Sequence, residues 1–191
     1  EDELSDMFAA GSLDSILFFS DRGKVYQEKA YQIPDAARAA KGIPLVQVLA
    51  LGPYEKVTAA MAVADFDAVD YCTMVTRQGR IKRVELAEFA SVRPSGLIAI
   101  GLDDGDELGW VKLTNGDQQI IIVTSEGQSI RFREDEVRAM GRGAAGVNAI
   151  KLDQSARVTG VDVVSGDEDD RDLLVITEYA YGKRTPIGEY R

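Results

Sequence analysis

Short apolar runs that end in a polar turn with a glycine recur along the chain. The clearest examples cover Leu17–Tyr26, Thr73–Arg83 and Ile121–Arg131. Each reads as an apolar strand, a Ser or Thr, two polar residues, a glycine and a second strand that carries basic residues. This arrangement predicts three β-hairpins, because glycine readily adopts the positive φ that such turns require.

A second glycine follows each hairpin in a short basic segment, and another apolar run comes after it. These glycines, with the apolar runs that we predict as strands, are Gly42 with 44–49, Gly96 with 97–100, and Gly146 with 147–152. A fourth hairpin begins at Leu173 and has Ala180 at the turn position that glycine occupies in the others.

The repeat predicts the fold class. The hairpin glycines Gly23, Gly79 and Gly127 give a period of about 50 residues, which is typical of small antiparallel sheets repeated around an axis. We predict an all-β, propeller-like fold in one repeat domain spanning 1–191. Its blades lie at roughly 13–64, 65–113 and 114–164, and an incomplete blade lies at 165–191.

Composition restricts the possible chemistry. The chain contains no histidine, which excludes mechanisms that rely on a histidine base or ligand within it. Its single cysteine, Cys72, has no partner for an internal disulfide and is expected to be a small core residue. No apolar run approaches the roughly 18 residues of a membrane helix, so no membrane partner is expected. We predict a chain without a catalytic centre.

The charge pattern is less simple. The net charge of −10 argues against binding to duplex DNA, which depends on neutralising phosphates with Lys and Arg. Yet basic residues outnumber acidic ones from Arg22 to Lys41 and again from Arg77 to Arg93. On a ring of repeats these cations would share one rim, and screening beyond roughly 10 Å lets such a stripe bind phosphates on an acidic body. The alternative is that they are solvated residues protecting strand edges.

Several strings of residues carry a family resemblance. In order, they are Phe18–Tyr26 with Tyr31–Pro34, Ser95–Ile100 with Asp104–Leu108, Val137–Arg142, and Tyr181–Thr185. From about Ser15 to Arg191 the chain resembles the C-terminal DNA-wrapping domain of the DNA gyrase A protein. The Gln-Arg-Arg-Gly-Gly-Lys-Gly type of box known in that family has no match in this sequence.

The resemblance implies a β-pinwheel, a propeller-like ring of four-stranded antiparallel blades whose basic outer rim binds and wraps double-stranded DNA. Because the fourth repeat is incomplete, we expect a partial ring here. That module supports negative supercoiling by an ATP-dependent type II topoisomerase, an isomerase. The implied partners are the N-terminal part of the gyrase A protein and the gyrase B protein, in the cytoplasm at the nucleoid. No cofactor is expected in this chain, since ATP and Mg act through other domains. The cations expected to contact phosphates are Lys24, Lys29, Arg38, Lys41, Arg80, Lys82, Arg83, Arg93, Arg131, Arg133, Arg138, Arg142, Lys183 and Arg184.

Two other functions fit parts of the pattern. The first is that of the corresponding C-terminal domain of topoisomerase IV, which also binds DNA. The second is a propeller-type protein-interaction scaffold, which the net charge favours.

Two local motifs favour simpler interpretations. Gly141–Gly146 matches the G-x-G-x-x-G dinucleotide fingerprint, but the residues after it predict a strand rather than the required helix, so we interpret it as a turn. The acidic groups at 103–107 and 167–170 lack calcium-loop spacing and are interpreted as solvated loops.

Overall fold

A computed structural model describes residues 6–37, 39–67, 71–153, 155–165 and 171–190. Within these residues the chain forms thirteen β-strands and five short 3-10 helices, with no α-helix. The all-β class predicted from the sequence is therefore confirmed.

The strands follow the predicted hairpins closely. In chain order they are β1 (Ser15–Ser20), β2 (Lys24–Lys29), β3 (Val57–Val63), β4 (Tyr71–Thr76), β5 (Arg80–Glu85), β6 (Leu97–Ile98), β7 (Leu108–Thr114), β8 (Gln118–Thr124), β9 (Ser129–Arg133), β10 (Val147–Asn148), β11 (Val158–Ser165), β12 (Asp172–Ile176) and β13 (Gly182–Pro186). The 3-10 helices are Ala30–Gln32, Leu45–Gln47, Leu86–Phe89, Glu134–Glu136 and Ile187–Glu189.

Each of the first two sheets takes its fourth strand from the following repeat. The first has the order β3-β1-β2-β6 and the second the order β10-β5-β4-β7, with all pairs antiparallel. Val25 of β2 lies opposite Leu97 of β6, and Ile81 of β5 lies opposite Val147 of β10. The third sheet has the order β11-β8-β9, and β12 with β13 forms a two-stranded sheet. This exchange of strands links consecutive repeats through backbone hydrogen bonds.

The predicted strands after the second glycines are only partly correct. At 97–100 and 147–152 the strand is limited to β6 and β10, of two residues each. At 44–49 the structure instead has the 3-10 helix Leu45–Gln47. The difference is the partner: β6 pairs with β2 and β10 pairs with β5, whereas no described strand lies beside 44–49. A strand forms only where another backbone satisfies its ladder.

The core lies between neighbouring sheets, so the central strands are buried on both faces. Along β1, Leu17 and Phe19 pack toward the second sheet, while Ile16 and Phe18 pack into a separate cluster on the opposite face. In β8, Ile120 and Ile122 face the second sheet, and Ile121 faces β12 and the final 3-10 helix. Burial on both faces explains why these strands read as continuous apolar runs rather than alternating ones.

All four hairpin turns share one hydrogen-bonding pattern. A Ser or Thr lies at the end of the first strand, or directly after it, and its hydroxyl accepts a hydrogen bond from the backbone amide four residues later. Examples are Ser20 with the Lys24 amide and Thr177 with the Tyr181 amide. Gly23 has a φ of 70°, and Ala180 holds the same turn position at 61°. The fourth turn therefore keeps the geometry of the others although it lacks the glycine.

Candidate nucleic-acid interface

Two glycine-containing loops lie across the junctions between repeats. A Cβ atom on Gly96 would come within 2.8 Å of the Tyr26 ring, and one on Gly146 would overlap the Ile81 carbonyl oxygen. Both glycines have φ near 80°, at 77° and 82°. Only glycine permits this approach, which brings β6 and β10 onto the preceding sheet. The basic residues ahead of these glycines are thereby fixed at the repeat junctions.

A surface groove of about 660 Å³ runs between the two loops. Arg93 and Arg142 contribute its positive charge and Glu88 its negative charge. Leu97 and Ile98 provide an apolar surface, and the glycine-rich backbone at 141–143 forms part of the lining. The groove thus presents two guanidinium groups and exposed backbone beside apolar surface, a combination suited to an anionic chain such as a sugar-phosphate backbone.

An ion pair crosses this groove. The Arg142 Nε lies 3.2 Å from the Glu88 Oε2, and the Arg142 Nη1 donates to the Glu88 carbonyl oxygen at 3.4 Å. Glu88 is held there by its own short helix, since Leu86 and Phe89 of that helix are buried and leave Glu88 directed outward. Arg93, on the other side, forms no ion pair with any described residue, and its side chain is exposed.

Lys82 lies beneath the groove with no exposed surface. Its Nζ donates to the Ala99 carbonyl at 2.8 Å and also to the Arg142 carbonyl. Burial lowers the pKa of Lys82 from 10.5 to about 8, and the nearby Glu88 carboxylate opposes that shift. Cys72 is also fully buried, as predicted, and burial raises the pKa of its thiol. Lys82 therefore anchors the loop backbone, and its burial argues against a direct phosphate contact.

Arg83, a neighbouring candidate cation, is also buried. Its Nη1 lies 3.4 Å from the Glu134 Oε2, and its guanidinium stacks 4.2 Å from the centre of the Tyr71 ring. The other Glu134 oxygen accepts hydrogen bonds from the Gly116 and Gln118 amides at 2.8 and 2.9 Å. This network joins the second sheet to the third repeat, so Arg83 has a structural role here.

Several candidate cations are already paired with carboxylates at the surface. Arg80 Nε lies 2.6 Å from Asp103, and Arg184 Nε lies 2.8 Å from Asp172. Arg133 contacts both Asp117 and Asp135, and its hydrogen bonds to Asp135 lower the pKa of that carboxyl group. The acidic residues between the repeats therefore reach back to the cations that the sequence predicted for DNA.

The remaining predicted cations are better placed for an external anion. Lys29 donates to the Leu13 carbonyl and the Ser15 hydroxyl, at 3.1 and 2.9 Å. Arg38 lies outside the described residues. Within the described part of the chain, six candidates form no ion pair and have exposed or partly exposed side chains: Lys24, Lys41, Arg93, Arg131, Arg138 and Lys183.

The sequence did not reveal the carboxylates that pair with these cations. Glu88 and Asp103 contact arginines that lie 54 and 23 residues away. Neither separation is visible as a motif. The sequence showed only that these acidic residues lie within or beside the basic segments, where basic residues outnumber them.

Other chemistry has little support in the described residues. No group of three or more acidic or sulfur ligands there is placed to bind a metal ion. The residues that follow Gly141–Gly146 form the strand β10, so the predicted turn is confirmed and the helix of a dinucleotide site is absent. None of the helices described is long or apolar enough to span a membrane.

The sequence matches one family model over most of its length. That model is the DNA gyrase C-terminal domain, beta-propeller, and it matches residues 14–64, 70–115, 118–165 and 171–191. The chain belongs to this gyrase family. The resemblance inferred from the repeat strings is therefore confirmed, as is the propeller-like fold.

Relatives of the gyrase domain agree with this assignment. The DNA gyrase A protein of Staphylococcus epidermidis (strain ATCC 12228 / FDA PCI 1200) is 40% identical over 192 residues, which cover 100% of this chain and 21% of that protein. The chain thus spans about a fifth of the length of the curated relatives it matches.

Solved structures show the same architecture. The C-terminal domain of DNA topoisomerase IV superposes with a TM-score of 0.86 at 26% identity, covering 94% of this chain and 55% of that one. A DNA gyrase A C-terminal domain superposes with a TM-score of 0.77, also at 26% identity, covering 100% and 62%. Because both structures share the same identity with this gyrase domain, the assignment to gyrase rests on the family model and the gyrase A relatives.

Proposed function

We propose that this gyrase domain binds duplex DNA and wraps it along the exposed cations at its repeat junctions. The observation that carries this proposal is the placement of Arg93 and Arg142 on loops that repeat the same packing against consecutive sheets. A module with cations repeated at such intervals can contact successive phosphates without reading the base sequence.

In the intact enzyme this binding would support negative supercoiling by an ATP-dependent type II topoisomerase. The proposed partners are double-stranded DNA, the N-terminal part of the gyrase A protein and the gyrase B protein, at the nucleoid in the cytoplasm. ATP and Mg would be used by those other parts of the enzyme. The chain itself supplies the phosphate-binding cations at its repeat junctions.

The net charge of −10 is compatible with this proposal because salt screens the repulsion from carboxylates more than about 10 Å from a bound phosphate. Ion pairs with carboxylates already occupy several of the predicted cations. The phosphate-binding set is then smaller than the sequence predicted. It consists mainly of the six candidate cations without ion pairs, together with candidate arginines whose surface pairs are weak enough to exchange a carboxylate for a phosphate. The six are Lys24, Lys41, Arg93, Arg131, Arg138 and Lys183.

The test is the affinity of the chain for a duplex of about 40 base pairs, measured against salt concentration by fluorescence anisotropy. We expect a steep linear fall in log affinity with log salt. Changing Lys41, Arg93 and Arg138 to Gln should make that slope shallower by roughly 0.9 for each phosphate contact removed. A control that changes Lys56, Lys112 and Lys151 to Gln alters net charge equally, but these residues lie outside the proposed set, so its slope should stay near that of the unmodified chain.

Two results would reject the proposal. Absence of binding by the unmodified chain at low salt would favour a protein-interaction scaffold. Equal loss of binding in both triple variants would show that affinity follows net charge rather than the proposed surface.

A further inference from the structure

The groove between the second and third repeats holds a carboxylate at the place where an anion would bind. Glu88 contacts Arg142 through both its side chain and its backbone carbonyl, at 3.2 and 3.4 Å. The side chains of Arg142 and Glu88 are 38% and 40% exposed. A phosphate could therefore reach the guanidinium only by displacing this carboxylate or by sharing the guanidinium with it.

The backbone on both sides of the pair is fixed. Lys82 holds the Arg142 carbonyl from below, and the burial of Leu86 and Phe89 fixes the helix that carries Glu88. Neither the arginine loop nor the acidic helix is free to move away as a unit. Competition for the Arg142 guanidinium is then a matter of side-chain rotation and solvation.

The free energies favour a guanidinium of Arg142 that exchanges between Glu88 and a phosphate over one that stays paired with Glu88. A partly exposed ion pair is weak, because water screens the charges and holding both side chains in one geometry costs rotamer entropy. A phosphate oxygen makes the same kind of charge-assisted contact with Arg142 as a carboxylate does, and Arg93 on the other wall can add a second one. The internal ion pair and a bound phosphate are therefore two close alternatives.

We propose that Glu88 limits the affinity of this groove for a DNA phosphate by competing with that phosphate for the guanidinium of Arg142. This inference rests on the DNA-binding function proposed above and adds to it a residue that weakens binding. Such a residue favours reversible wrapping, since this junction then exchanges an internal carboxylate for an external phosphate at Arg142.

The decisive variant is Glu88→Gln, which keeps the side-chain shape and a hydrogen-bond acceptor for Arg142 but removes the negative charge. We expect it to bind the same duplex about three to ten times more tightly, and its log affinity against log salt to steepen by roughly 0.9, the value for one additional phosphate contact. Both changes come from releasing Arg142 to bind phosphate.

The matched control is Asp162→Asn. Asp162 also lies 3.2 Å from a cation, Lys112, with the two residues on β11 and β7, outside the groove. It changes net charge by the same amount, so the affinity change that this control shows measures the general charge effect. We expect it to be below twofold, with an unchanged salt slope.

Two further variants, Arg142→Gln alone and Arg142→Gln combined with Glu88→Gln, test whether the gain in affinity depends on Arg142. Changing Arg142 to Gln should abolish the gain from Glu88→Gln, because the released guanidinium is then missing. The inference is overturned if Glu88→Gln and Asp162→Asn have equal effects, or if the gain persists without Arg142. Failure of the unmodified chain to bind DNA would reject the proposed function itself, and the unmodified protein alone reveals that outcome.

Discussion

Lys82 is a cation with no exposed surface, and its environment makes stability depend on pH. The folded chain holds this ammonium group against two backbone carbonyls beneath the 141–146 loop. Hydrogen bonds to those carbonyls satisfy the charge only in part, because no carboxylate among the described residues forms an ion pair with it. Burial therefore dominates and lowers its pKa to about 8.

The sign of the effect follows from proton binding. Between pH 8 and 10.5 the unfolded chain keeps the Lys82 proton while the folded chain releases it, so the contribution of Lys82 to the free energy of unfolding rises with pH across this window. The expected gain is on the order of 1 to 3 kcal/mol. Urea unfolding at several pH values measures it. The buried Cys72 thiol, whose pKa is raised, contributes the opposite trend above its usual pKa, but it is present in both the unmodified chain and Lys82→Met. The free energy of unfolding of the unmodified chain relative to Lys82→Met should therefore rise with pH, and a pH-independent difference would contradict the assignment.

Tyr26 provides the opposite trend at higher pH. Burial and its hydrogen bonds to Glu55, both at 3.0 Å, raise the pKa of Tyr26 to about 12. The folded chain then keeps the Tyr26 proton between pH 10 and 12, where the unfolded chain releases it. Because the unfolded state binds fewer protons there, the free energy of unfolding falls with pH across that window. In Tyr26→Phe this fall should be smaller in the same urea series.

At the scale of single elements, the exchanged strands depend on a few glycine contacts. β10 can pair with β5 because Gly146 lets the chain pass close to the Ile81 carbonyl. The same arrangement recurs where Gly96 passes the Tyr26 ring and β6 pairs with β2. The junction is thus specified by backbone conformation as much as by side chains.

Substituting Gly146 with Ala tests this arrangement. The new Cβ would overlap the Ile81 oxygen at a φ of 82°, so both steric overlap and left-handed strain oppose it. We expect the free energy of unfolding to fall by about 2 to 4 kcal/mol. Gly143→Ala is the control, because nothing lies within 4 Å of the Cβ that this substitution adds. We expect its free energy of unfolding to change by no more than about 0.5 kcal/mol. Equal effects in denaturant unfolding would show that the close approach is not required.

Across the whole molecule, stability is divided into cores between successive sheets. One cluster joins the first and second sheets, and another joins the second and third. In the first, the Phe19 and Phe89 rings meet edge to face with centroids 5.8 Å apart. A chain built this way behaves as a series of neighbouring units, each stabilised chiefly by the next.

Phe89→Ala tests how far this division extends. Removing a fully buried ring should reduce the free energy of unfolding by about 3 to 5 kcal/mol. Hydrogen exchange should show the loss mainly in β1, β2, β4 and β5, with β8, β9 and β11 retaining most of their protection. Phe8→Ala, at a half-exposed position, is the control and should have little effect. A uniform loss across all sheets would show instead one cooperative unit.

The sequence alone was sufficient for the hairpins and the family. Hairpin turns are specified by residues only a few positions apart, so Gly23, Gly79 and Gly127 and the hydroxyls before them revealed the repeat directly. Cys72 was correctly predicted as a core residue because its neighbours form an apolar strand. Such signals are local, and short-range conformational preference is strong enough to express them.

Only the tertiary structure decided which strand completes each sheet and which cations remain available. The 44–49 run has the same apolar character as 97–100, yet it forms a 3-10 helix because no described strand lies beside it. Lys82 and Arg83 looked like phosphate ligands but are buried, while Arg80 and Arg142 are paired with carboxylates far away in the chain. Burial and charge pairing depend on distances in space, and residues 23 or 54 positions apart have no fixed distance until the chain has folded.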